Sequence, residues 1–106
     1  MRMMMKVSMP VEVGNDAIMR GDLGKTISGI LEEQKPEAAY FVAADGKRTG
    51  FLFIDIQDAS QLPAIAEPWF LAFNASVEVT PAMSPKDLAA AGPHIEKAAK
   101  KYGSAS

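Results

Sequence analysis

The sequence predicts an α+β domain built around a four-stranded antiparallel sheet. Two periodicities carry that reading. Runs that alternate apolar and polar at every second residue mark strands, and apolar residues recurring at three- and four-residue steps mark helices. A third observation is Asp45-Gly46 between two strand-like runs. It is a strong hairpin signal, because both residues tolerate positive φ.

The elements follow in order. Residues 3–9 read as the first strand. Residues 11–15, after Pro10 and around Gly14, read as a connector, with Asn15 or Asp16 capping a short helix through Arg20. Beyond Gly21 and Gly24, the spacing of Leu23, Ile27, Ile30 and Leu31 restores a helical stripe. Glu32-Glu33-Gln34-Lys35 is its solvated end, and Pro36 stops it. Residues 38–44 and 49–57 are the strands of the hairpin. Asp58 or Ser60 caps a helix with Pro63 in its first turn and Leu62, Ile65, Ala66, Trp69, Phe70 and Phe73 on one face. Pro68 marks a kink or break within it. Residues 76–82 are the fourth strand. Ser84-Pro85-Lys86-Asp87 starts a further helix through a capping box. Gly92-Pro93 predicts a break there, a last helix over 94–101, and fraying over 102–106.

The order β, α, β, β, α, β, α is that of a ferredoxin-like βαββαβ unit with an added C-terminal helix, residues 1–106 forming one domain. Strand parity then sorts the side chains. One face is uniformly apolar and receives the helices. It gives a core of Met5, Val7, Met9, Phe41, Leu52, Ile54, Ile56, Val77 and Val79, with Ile27, Ile30, Leu31, Ile65 and Trp69 from the helices. Burial of such residues contributes roughly 1.5–3 kcal/mol each. The other face mixes Tyr40, Phe51 and Phe53 with Lys6, Ser8, Asp55, Glu78 and Thr80. Three aromatics on an open sheet predict a covering partner, most simply a second copy, which would make a dimeric α+β barrel. The alternative is a monomer with one wet sheet face.

Composition excludes several classes. The net charge of −2 and scattered basic residues argue against nucleic acid or anionic lipid as partner. The absence of cysteine rules out disulfides, thiolate catalysis and sulfur-ligated zinc, and with a single histidine a metal site would need carboxylates or a second chain. Gly14, Gly21 and Gly24 do not form a phosphate-binding loop, so no cofactor is expected. No apolar run is long enough to span a bilayer, and Met1 to Lys6 does not read as a signal peptide, so a cytoplasmic protein is the expectation.

The stretches Lys35-Pro36-Glu37-Ala38-Ala39-Tyr40-Phe41, Asp45-Gly46-Lys47-Arg48-Thr49-Gly50 and Ala64-Ile65-Ala66-Glu67-Pro68, with the strand order and the mixed face, resemble the dimeric α/β barrel superfamily. That is the group of muconolactone isomerase and the small antibiotic-biosynthesis monooxygenases, and the likeness is to its uncharacterised bacterial members. The resemblance implies a ferredoxin-like fold and a homodimer through the sheet face. No catalytic residue of the isomerases or monooxygenases matches a position here, so it adds little for an enzyme.

Asp55, a carboxylate inside an apolar strand, is the first candidate catalytic residue. Covered by a partner, it would have its pKa raised by desolvation, as suits a general base. Paired with Lys6, it would be structural. Lys6, Tyr40, Asp55 and Glu78 together fit either proton transfer next to a carbonyl or a salt-bridge set between subunits. His94, the sole imidazole, opens the expected last helix, and is a catalytic candidate against a solvated surface reading. Phe51, Phe53 and Trp69, with Lys6 and Glu78, are the candidate ligand-binding residues, while Lys47 and Arg48 read as solvated at the hairpin tip. Two functions fit this face. One is cofactor-independent binding or conversion of a small apolar carbonyl compound, isomerase- or monooxygenase-like. The other is a non-catalytic homodimeric interaction or scaffold protein.

Overall fold

The computed structural model describes residues 1–103. β1 (Arg2–Met9) leads through two helices, α1 (Val11–Arg20) and α2 (Leu23–Gln34), into the hairpin of β2 (Ala38–Ala44) and β3 (Lys47–Asp55). A 3₁₀ turn (Ala59–Gln61) precedes α3 (Leu62–Phe73), β4 (Ser76–Pro81) and α4 (Pro85–Tyr102). The four strands form one open antiparallel sheet in the order β2-β3-β1-β4. This is an α+β architecture consistent with a ferredoxin-like fold.

Local chemistry explains most boundaries. Asp45 and Gly46 both take positive φ, 53° and 74°, so two residues close the hairpin with the twist its strands need. Asp58 accepts from the Ser60 amide while the Gln61 side chain accepts from the Asp58 amide, which fixes the entry to α3. Ser84 and Asp87 cap each other's amides at the start of α4. Lys35 and Asn74 close α2 and α3 in the left-handed region.

Three expectations are corrected. Residues 11–15 are helical rather than a connector: Pro10 sits at the N-cap with φ −56°, and the Gly14 amide already donates to the Pro10 carbonyl. Gly92-Pro93 does not break the C-terminal helix, so His94 lies inside α4 and not at a helix start. Pro93 removes one backbone bond, and on this exposed helix the freed carbonyl is open to water. Phe41 faces the helices as parity requires, yet it is 53% exposed, because the helices stop short of edge strand β2. Of the tail expected to fray, Tyr102 closes α4, and residues 104–106 lie outside the described residues.

The core lies between the sheet and α1–α3. Met3, Met5, Val7 and Met9 alternate inward along β1 and meet Leu52, Ile54, Ile56, Ile30, Ile65 and Phe73. Trp69 is 2% exposed, stacks on Phe73 with centroids 6.2 Å apart, and donates its indole N–H to Gln34 Oε1 at 3.3 Å. The Gln34 amide in turn donates to the Ile65 carbonyl at 2.9 Å. The residue read as a solvated helix end thus ties α2 to α3 and satisfies the buried indole.

α4 stands apart. It has no buried residue and stretches the molecule to 62 × 30 × 21 Å, with a radius of gyration of 18.0 Å, against about 13 Å for a compact chain of this size. An exposed helix of this length is marginal in water, and interior Pro93 and Gly92 cost it about 3 and about 1 kcal/mol relative to alanine. Replacing Gln34 tests the tie between α2 and α3. Gln34→Ala, which strands the Trp69 N–H, should lower unfolding free energy by about 1–3 kcal/mol in urea titration. Gln34→Glu, which keeps an acceptor, should recover part of that loss.

Candidate functional site

The expected site residues divide between the two faces of the sheet. On the face away from α1–α3, the ladder aligns Tyr40 with Phe51, Phe51 with Lys6, and Lys6 with Glu78. Four candidates therefore form one row across all four strands. Lys6 Nζ stands 3.9 Å from Glu78 Oε2 and 3.8 Å from Asp45 Oδ2. Tyr40 is 63% exposed, while Phe51 and Phe53 are half-buried by their strand neighbours. The aromatic patch is thus narrower than three bare rings would make it.

Asp55 lies on the same face but at the end of β3, four residues from Phe51, or roughly 13 Å. Its partner is the N-terminal ammonium of Met1 at 2.8 Å, not Lys6. That hydrogen bond and charge hold the exposed Asp55 carboxyl below its usual pKa. The shift is opposite to the one a desolvated general base would show. Neighbouring Arg2 pairs with Glu37 at 2.7 Å, which raises the guanidinium pKa further. His94 lies exposed on α4. Among the described residues no group of three histidines, cysteines or carboxylates is placed to hold a metal ion.

Trp69 lies on the opposite side of the sheet, in the wall of an apolar cavity of about 430 Å³. Val7 and Met9 from β1, Leu52 from β3, and Leu23 and Ile27 from α2 line it, and Phe41 from β2 closes one side. The cavity exists because β2 overhangs the helix layer. The Phe41 ring lies over Gly50, where a Cβ would stand 3.1 Å from it, so this glycine lets the ring approach β3 closely.

Among the described residues, Arg48 is the one ionisable side chain lining the cavity. Its guanidinium donates to Asn15 Oδ1 at 3.0 Å and to the Val11 carbonyl at 3.4 Å, and it forms no ion pair among the described residues. Gly14 makes room for it: a Cβ there would stand 2.5 Å from Arg48 Nη1 and 2.9 Å from Met9 Sδ. This corrects the sequence expectation of a solvated Arg48 at the hairpin tip. The signal that identifies it is parity, since position 48 shares its side of β3 with Leu52 and Ile54.

Comparison with curated proteins finds no match. Among solved structures, a formyltetrahydrofolate deformylase from Pseudomonas putida KT2440 is similar at a TM-score of 0.48 and 14% identity. The match covers 77% of this chain but only 29% of that one. A family model described as a domain of unknown function, DUF3303, matches residues 1–95.

The acid limb of stability follows from Asp55 and Asp87. Asp87 is also held below its usual pKa, first by its hydrogen bond to the Ser84 amide. Both folded-state values are depressed, so the stability they add is present above the unfolded value of about 3.9 and is lost as pH falls below it. Asp55→Asn and Asp87→Asn should each melt below the wild type at pH 7. The difference should vanish in melts near pH 2.

Proposed function

This chain belongs to the DUF3303 family, and from that premise we propose that it is a homodimeric protein binding a small apolar compound with a carbonyl or carboxylate head. The observation that carries the proposal is the cavity of about 430 Å³ with Arg48 as its only ionisable lining residue among those described. That volume lies within the usual range for small-molecule sites, and such sites pair apolar walls with a few fixed polar groups. A guanidinium stays protonated, so it suits an oxygen-bearing head group as a hydrogen-bond donor and not as an acid or base. Binding is therefore favoured over conversion. Tyr40, Asp55 and His94, the groups suited to proton transfer, lie away from this cavity.

A second reading, a non-catalytic homodimeric interaction protein, draws on the open sheet face. The row of Tyr40, Phe51, Lys6 and Glu78, with Met4, Val42 and Phe53 beside it, has no helix of α1–α3 over it. The two readings are compatible, because cavity and row lie on opposite sides of the sheet.

Trp69 is the only tryptophan and lines the cavity, so its fluorescence reports occupancy. Titration with octanoate should change that emission, and Arg48→Met should weaken octanoate about 10- to 100-fold, the equivalent of a charge-assisted hydrogen bond of about 1.5–3 kcal/mol. Binding of 1-octanol should change far less. No emission change with either probe, or equal loss for both in Arg48→Met, would defeat the reading. Light scattering on the full chain at micromolar concentration should give twice the chain mass.

A further inference from the structure

Two surfaces that carry exposed apolar side chains are left without a helix or sheet over them in this chain. One is the open sheet face just described. The other is a stripe along α4: Leu88, Gly92, Ile95, Ala99 and Tyr102 recur at steps of four and three, and the charged residues lie outside it. Leu88 is 52% and Ile95 58% exposed. This helix carries a proline and a glycine in its interior, and among the described residues no other element packs extensively against it, so its own propensity does not account for it.

We infer that α4 of each protomer lies across the open sheet face of a second copy, so that the homodimer forms by reciprocal exchange of this helix. The inference rests on the dimer reading above and names its interface. Three observations support the fit. An 18-residue helix is ~27 Å long, and the eight residues of β1 span ~26 Å, so stripe and sheet match in length. α4 holds four lysines against Asp87 and Glu96, a net +2, which leaves −4 for the rest of the chain. The helix is thus attracted to another copy's body. Two helix footprints about 10 Å wide, each counted on helix and sheet, bury on the order of 1,100 Å², close to the lower limit for a specific interface.

The exchange makes each half of the interface depend on the other. In the full chain, Ile95→Glu on α4 and Tyr40→Glu on the sheet should each raise the dimer dissociation constant at least 100-fold by analytical ultracentrifugation. Ile95 contacts no core residue, so the fold is not at risk in the first variant. The chain has no cysteine, which allows a direct test. Ile95→Cys and Tyr40→Cys chains, mixed and treated with a short bismaleimide, should yield mainly 95–40 cross-links between chains. Dimers that survive Ile95→Glu and cross-link 40–40 would mean sheet packed on sheet, overturning the exchange but not the dimer. Cross-links of 95–95 with a dimer that tolerates Tyr40→Glu would mean a helix pair, again against the exchange. A monomeric wild type would overturn both readings.

Discussion

A four-stranded sheet has two faces, and the chain supplies helices to only one of them. The constraint originates in β1. It lies at the centre of the sheet with Met3, Met5, Val7 and Met9 turned to one side, and those methionines need cover. Both β-α-β connections turn with the same hand and return their helices to that side. Trp69 and Gln34 then lock α2 against α3 over the strand. The opposite face, the overhanging strand β2 and the unattached α4 all follow from how that single layer is filled.

Much of this was legible in residue order. Alternation located all four strands, Asp45-Gly46 marked the hairpin turn, and Ser84 with Asp87 marked the start of α4. The misreadings share a cause: local rules say what a residue prefers, not what surrounds it. Pro93 breaks helices in general, yet here its unpaired carbonyl is open to solvent. Pro10 reads as loop, yet its fixed φ suits an N-cap. Phe41 has the parity of a core residue, but coverage depends on how far the helices reach.

The candidate site was half legible for the same reason. Parity alone puts Lys6, Tyr40, Phe51 and Glu78 on one face, and the ladder places them in one row. The partner of Asp55 is the chain terminus, a group no residue code displays. The cavity is harder still to read, because it is a gap between elements and no motif encodes it. Besides the parity of Arg48, its trace is a pair of glycines, one beneath the Phe41 ring and one beside Arg48, each where a Cβ would crowd its neighbour.

The central place of β1 also sets an order of assembly. The hairpin of β2 and β3 is local and closes early, but Met3 of β1 pairs with Pro81 of β4, near the far end of the folded unit. During synthesis the first strand leaves the ribosome with both edges unpaired, and it keeps one edge free until β4 arrives. Its inward positions are filled mainly by methionine, which is apolar enough for a core but flexible and unbranched. A valine- or isoleucine-rich strand in that place would be a stronger template for pairing with other nascent chains during the wait. The methionines thus serve the chain twice, as core filling once it is folded and as weak strand formers before that.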